Sequence, residues 1–497
     1  MISSDSKPTF KYLSVASERF QQDEAPNMFF GLKFSFARGW LLPVLCVAAA
    51  VCPTSAEAQV GVKAGLVVPI VGEPIENGVI LIRDGKIEAV GKDLKIPVDY
   101  KVVQAEDGVV MPGIVDPHSS AGMSQANEQN SNVPFLSVVD SIDPSSPYFE
   151  QCRRNGVTTS AVVPGNSTMI GGRSAVLKTA GGYVNDMLLV RDAGLKISLR
   201  PIRGSRMSHL ARLRRELDVA KRSIEEELAA EKKKEDEEKA AEKKASEKSK
   251  DDEKKDADKK DDGKKEPAKG DDSKDDKKEE GDEKKGDDKP EEEEAESLRQ
   301  LKRLLRGEQE AFVYCDAPMD VAQALTLSRQ YGFQAKLVVD ADCYKAAKLM
   351  ADADTTVILD PNLVFWESDP RTREDKKVVV TKVLDDAGVE FVFQANLGSS
   401  PQSIGSGYFW FQAATAISYG MDRNEALERL TLTPAKLLGV DEFVGSIEAG
   451  KDADLVIYSG DPLKIDTWVL KTMVAGEVVY DRDKDDKLKR LLEEPQS

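Results

Sequence analysis

The chain has 497 residues, five cysteines and a formal net charge of −18, and 32% of its residues are charged. That length allows several domains of ordinary size. Beyond residue 58 only Cys152, Cys315 and Cys343 remain, an odd and widely spaced set that excludes a disulfide framework and a zinc ribbon.

The first segment to set aside is residues 1–58. The apolar run WLLPVLCVAAAVC at 40–52 follows Lys33 and Arg38 and precedes Ala56-Glu57-Ala58, the small-x-small pattern of a signal peptidase site. Cleavage is expected before Gln59, with Met28 as an alternative start. The run is shorter than the ~20 residues a spanning helix needs, so no stable membrane anchor is expected after processing. The mature protein is expected to be exported, periplasmic or extracellular.

Strand signals open the mature chain. GVILIRDGKIEAVG at 78–91 alternates apolar and polar positions around Asp84-Gly85, the pattern of a two-residue hairpin. Downstream, GIVDPHS, TTSAVVP, AFVYCD, AKLVVDAD, TTVILDP and VEFVFQAN are short apolar strands, several separated by amphipathic stretches such as DVAQALTLSRQYG. Strand and helix in alternation mean parallel pairing with crossover helices. About 250 residues of this kind suit a (β/α)8 barrel, and a doubly wound open sheet gives the same pattern. The chain closes on strands again, DADLVIYSG at 452–460 and WVLKTMVAGEVVYD at 468–481, the latter turning at Ala475-Gly476.

A second segment interrupts this plan. Residues 231–297 contain no Val, Ile, Leu, Met, aromatic or Cys residue and carry 21 Lys against 30 Asp and Glu, half of the net charge of the chain. Such a stretch cannot bury enough apolar surface to offset its ordering entropy and is expected as a solvated insertion, disordered or a lone helix. Its interspersed signs exclude a nucleic-acid-binding arm, which needs a basic excess. A spacer and a docking surface for a protein partner both remain open.

The run VVMPGIVDPHSS at 109–120 resembles the first barrel strand of the metal-dependent amidohydrolase superfamily, and TLTPAKLLGVDEFVGSIEAGKDADLVIYSGDPL at 431–463 is similar to its closing signature. Residues 142–181 and 304–325 resemble the imidazolonepropionase-like branch. The resemblance implies a (β/α)8 TIM-type barrel plus a small β-sandwich made by both ends of the mature chain. The divisions are then 59–112 and 440–497 for the sandwich, 113–230 and 298–439 for the barrel, and 231–297 for the insertion.

The family activity is hydrolysis of C–N bonds other than peptide bonds, at a zinc site that activates water. Its ligands stand at strand ends: two His on the first strand, single His on two later ones and an Asp on the last. This chain has two His in all. His118 matches the first ligand and Ser120 falls at the second; Tyr314, Asp316 and Asp340 stand where further His are expected, and Ala395 or Asn396 where the catalytic Asp belongs. Lys178 resembles the carboxylated Lys that bridges two metals in some relatives, although a strand-end lysine pointing to solvent is the commoner explanation. His209 lies on an amphipathic run and is expected at the surface; Cys315 is expected as a small buried residue. The expected protein is a pseudoenzyme with degenerate metal site, with no cofactor and at most a small-molecule ligand in the barrel mouth. The alternative is an active hydrolase with a rebuilt site using His118, Asp316 and Asp340.

Overall fold

The computed structural model describes residues 59–252, 289–395 and 407–492. The signal-peptide expectation at 1–58, Asn396 and the middle of the charged insertion lie outside the described residues. Five strands come first: β1 (Val60–Val67), β2 (Ile75–Glu76), β3 (Val79–Arg83), β4 (Lys86–Gly91) and β5 (Lys101–Pro112). Next come β6 (Ile114–Ser119), β7 (Val157–Val162), β8 (Ile170–Lys178), β9 (Leu188–Ser198), β10 (Ala311–Cys315), β11 (Ala335–Val339) and β12 (Val357–Leu359). A ribbon of β13 (Val364–Ser368) and β14 (Asp375–Val379) precedes β15 (Phe391–Val392); β16 (Leu455–Tyr458), β17 (Val469–Val474) and β18 (Glu477–Asp481) close the set.

The hairpin at Asp84-Gly85 forms as expected, with φ of 52° and 74° at the two turn residues, the left-handed pair that a tight β3–β4 connection needs. Both ends of the described chain meet in one sheet of order β18-β17-β16-β5-β1-β3-β4, with β2 on β1. The joint is the antiparallel pairing of β16 with β5, from Leu455 opposite Pro112 to Tyr458 opposite Val109. Ile80, Ile82, Val110, Leu455 and Ile457 share its buried core, so neither end has to bury an apolar face alone.

The second sheet runs β15-β12-β11-β10-β9-β8-β7-β6 and curls into a nearly closed barrel. Its order follows the chain, strand beside next strand, whereas a doubly wound sheet reverses direction at a switch point; the open alternative is thereby excluded. One strand departs from the all-parallel expectation: β8 is antiparallel to both β7 and β9. Only residues 163–169 separate β7 from β8, too few for the crossover that a parallel connection requires, ~12 residues or more. Along the parallel strands alternate residues divide the core. Phe312 and Tyr314 face the barrel interior with Val115, Val338, Ile358 and Val392. Ala311, Val313 and Cys315 face the surrounding helices. Where β6 leaves the end sheet, Gly113 is required by crowding, because a Cβ there would lie 1.9 Å from Thr158 Oγ1.

The crossover from β9 to β10 carries the insertion as two helices, Arg206–Asp252 and Lys289–Leu305. Leu210, Leu213, Leu217 and Ala220 on the first, and Leu301 and Leu304 on the second, are buried against the barrel. Glu227 pairs with Lys302 at 2.5 Å and with Arg306 at 2.6 Å. From 231 to 239 every side chain is exposed. The buried leucines and the Glu227 ion pairs that anchor the two helices lie outside 231–297, so deleting that segment and joining the flanking helices is expected to change stability by no more than about 0.5 kcal/mol, measured by denaturant unfolding. A loss above about 2 kcal/mol would show that the segment packs. Among the described residues no helix is long and apolar enough to cross a membrane.

Candidate functional site at the barrel mouth

The carboxyl ends of the barrel strands surround a cavity of about 240 Å3. Its wall is nearly all polar: His118, Ser119 and Ser120 from the end of β6, Asn166 after β7, Tyr314 of β10, Asp360 after β12, and Gln394 with Ala395 after β15. His118 reaches it through an irregularity in β6, whose pairing with β7 shifts register between Asp116 and Ser119. Across this break Asp116 turns outward to Tyr148 on the helix Pro147–Arg154, while His118 turns inward toward Phe312, their ring centroids 6.4 Å apart.

Both ring nitrogens of His118 are engaged. Nδ1 lies 2.8 Å from Gln394 Oε1, and Nε2 lies 3.2 Å from Lys196 Nζ. Gln394 Oε1 can only accept, so Nδ1 carries the proton and donates it, while Nε2 accepts from the lysine. The first of these bonds joins β6 to the end of β15, the two edge strands, and so bridges the seam of the barrel. Gln412 steadies the bridge by donating from Nε2 to the Gln394 carbonyl at 2.7 Å.

Lys196 stands on the inner face of β9 and is fully buried. Nζ also lies over the Tyr314 ring, 5.5 Å from its centroid. Burial pushes the Lys196 pKa down to about 7. Burial, and then the neighbouring Lys196, hold the His118 imidazole well below its ordinary value, so the ring is neutral. Asp360, whose carboxylate also accepts from the Asn362 amide at 2.8 Å, is pushed up to about 6 by burial, with Asp340 adding to the rise. The Tyr314 hydroxyl donates to Asp340 Oδ2 at 3.1 Å; burial first and then Asp340 raise its pKa.

The sequence-predicted positions therefore divide. His118, Ser120, Tyr314 and Ala395 come together at the cavity, with Asp340 behind Tyr314. Asp316 is not in the wall: it is drawn aside by Arg200 at 3.5 Å and Arg206 at 3.7 Å. Lys178 is neither solvent-facing nor near this mouth. Because β8 runs antiparallel, its end lies at the opposite end of the barrel, where Lys178 is buried between Asp452 and Asp454. His209 is not a surface residue either; it is 1% exposed, and its Nε2 donates to the Ser198 carbonyl at 2.8 Å. Cys315 is buried as expected, facing the helices rather than His118.

Lys196, Asp360, Gln394 and Asn166 were missed in the sequence. Asp360 and Gln394 sit at the ends of strands read correctly, TTVILDP and VEFVFQAN, and strand-end position alone could have flagged them. Lys196 lies on a strand whose pattern was not recognised.

A zinc centre does not fit the described donors. The one imidazole in the wall already has its Nε2 lone pair directed at Lys196, and the described residues contain no group of three or more His, Cys, Asp or Glu placed to hold a metal ion.

Residues 409–480 match the profile of the amidohydrolase family. Over 421 residues the chain is 24% identical to the amidohydrolase tasK of Hapsidospora irregularis. That match covers 82% of this chain and 39% of the relative, so the chain spans about two fifths of the length of that relative. An amidohydrolase from Thermotoga maritima shares the fold, with a TM-score of 0.65 at 24% identity, covering 85% of this chain and all of that one. The chain is thus similar to amidohydrolases in its C-terminal profile match, and it shares the fold of one of them.

Proposed function

We propose that this protein is an exported amidohydrolase of the imidazolonepropionase-like branch that has given up the zinc centre and binds a small polar molecule at the barrel mouth. The observation that carries this reading is the double engagement of His118: the lone pair a metal would need is taken by Lys196, and Gln394 fixes the tautomer. The wall supports the ligand class, because its imidazole, hydroxyl and amide groups match a compact hydrogen-bonding solute better than an apolar one. The rebuilt-hydrolase alternative is weakened by Asp316, which is paired with two arginines away from the cavity. The signal-like segment supports export.

Elemental analysis of full-length protein purified without chelator is expected to find zinc far below one per chain. No metal-stimulated amidase, lactamase or cyclic-imide hydrolase activity is expected. One tightly held zinc per chain, lost together with hydrolysis in His118→Ala, would overturn the reading. With only two histidines in the chain, imidazole nitrogen NMR gives an independent check. The His118 ring is expected to stay neutral, with its proton on Nδ1, through the pH range near 6.5 where an ordinary imidazole titrates.

A further inference from the structure

We propose that the protein binds a small aromatic carboxylate in a second cavity, at the junction of the barrel and the end sheet, with the Arg482 guanidinium and the Tyr458 hydroxyl as donors to it. This cavity shares no lining residue with the strand-end site, so the proposal stands apart from the metal-free reading of that site.

The cavity measures about 580 Å3, room for a two-ring compound. The start of the helix Phe409–Ser418 and the connection from β16 to β17 form its walls, together with Leu488 of the C-terminal helix Asp486–Leu492. Aromatic rings are concentrated here. Trp410 meets Phe411 edge-on with centroids 5.7 Å apart, and Tyr408, Phe411 and Trp468 stay 38%, 39% and 53% exposed. A lone exposed aromatic carries no information, but several around one concavity offer a flat ring the faces and edges it stacks against.

Two unmatched donors set the charge of the occupant. The Arg482 guanidinium lies over the Trp468 ring, 4.4 Å from its centroid, and the ring holds the cation in place. Among the described residues no carboxylate pairs with Arg482, whereas its neighbours are satisfied: Lys484 by Asp481, and Arg154 by Glu150 and Asp485. Tyr458 is 5% exposed and lines the cavity, yet its hydroxyl has no hydrogen-bond partner among the described residues. A buried hydroxyl without a partner is costly unless something supplies an acceptor. The Tyr480 hydroxyl in the same wall has one already, donating to Asp485 Oδ2 at 3.2 Å. Asp485 in turn is neutralised by Arg154 at 2.6 Å and leaves no free carboxylate to attract a cationic ligand. A guanidinium fork beside an aromatic face fits a planar carboxylate carried on a ring.

Full-length protein is titrated with 2-naphthoate by isothermal calorimetry at neutral pH and low salt. One naphthoate is expected per chain, and the neutral isostere 2-naphthamide is expected to bind ~10-fold more weakly. Arg482→Met keeps an apolar stem over Trp468 and removes the charge, and it is expected to weaken naphthoate by the same ~10-fold. Tyr458→Phe removes only the hydroxyl and is expected to weaken it by ~5-fold. Circular dichroism and the denaturant midpoint check that each variant is folded. No binding by the wild type at millimolar naphthoate overturns the proposal, and so does 2-naphthamide bound as tightly as naphthoate or an affinity unchanged in Arg482→Met. Sedimentation of the same samples tests a second copy of the chain as the occupant: a wild-type dimer that takes up no naphthoate and that Trp468→Ala dissociates overturns the proposal as well.

Discussion

Replacing Lys178 with methionine is expected to cost the fold about 3–5 kcal/mol, read as a lowered denaturant midpoint at unchanged slope. Lys178 Nζ lies 2.6 Å from Asp454 Oδ2 and 2.8 Å from Asp452 Oδ2, and only 8% of its side chain is exposed. Methionine fills the space of the stem and removes the charge, so the loss isolates the carboxylates left behind. Asp452 keeps a second partner, Lys86, at 2.8 Å, but Asp454 is buried and among the described residues its side chain retains only the Ala475 amide, which donates to its Oδ1 at 2.8 Å. The cost therefore falls mainly on Asp454, and adding Asp454→Asn to Lys178→Met is expected to recover part of it. The cluster ties the end of β8 to the strand-bearing C-terminal segment, so the barrel and the end sheet should loosen together. A loss below about 1 kcal/mol in the single variant would show that solvent reaches the carboxylates.

Lys178 also shows what kind of information the sequence carried. Strand existence was legible because each parallel strand is an apolar run bounded by turn residues: GIVDPHS, AFVYCD and AKLVVDAD are β6, β10 and β11. The hairpins were legible because left-handed turns demand particular residues, and Asp84-Gly85 and Ala475-Gly476 supply them. Strand direction was not. Nothing in IGGRSAVLKTAG marks β8 as antiparallel except the short link before it, and that direction decides which end of the barrel receives Lys178.

The site was half legible for a related reason. Matching residues to strand ends brought in His118, Ser120, Tyr314 and Ala395, which do share the cavity wall. It also brought in Asp316, whose side chain is drawn out by Arg200 and Arg206, arginines that no strand-end pattern places beside it. Lys196 was overlooked because β9 contains Arg191, Asp192 and Gly194, which interrupt any clean apolar run. Its importance comes from what faces it across the barrel interior, and contacts between β9 and β6 become visible only once the sheet has curled. His209 was misplaced by the same limit: its helix is amphipathic, but a side-chain bond to the Ser198 carbonyl draws a polar residue onto the buried face.

Stability should fall as pH rises from about 4 toward 8 in a manner that Asp116→Asn removes, and the reason lies directly behind the site. Asp116 is fully buried, with the Tyr148 hydroxyl 3.3 Å from Oδ2 and the His118 amide 3.3 Å from Oδ1. No described cation pairs with it, and burial pushes its pKa up to about 8. Tyr148 and Cys152, which face it from the adjacent helix, stay neutral because burial raises both. In the unfolded chain an aspartate loses its proton near 3.9, so between about 4 and 8 the folded state holds a proton that the unfolded state has shed. Stability then declines with rising pH across that window, by on the order of 3–5 kcal/mol in total. His118 and Lys196, whose folded pKa values are depressed, contribute with the opposite sign, gaining stability as pH rises toward their unfolded values. Those contributions are common to both proteins, so subtracting the wild-type curve from that of Asp116→Asn isolates Asp116. The asparagine amide can keep both hydrogen bonds without a titrating charge. The variant is expected to match the wild type near pH 4 and to exceed it in urea-unfolding stability near pH 8. Parallel curves across the window would mean that Asp116 is ionised in the folded protein, with water or an ion compensating it behind the barrel wall.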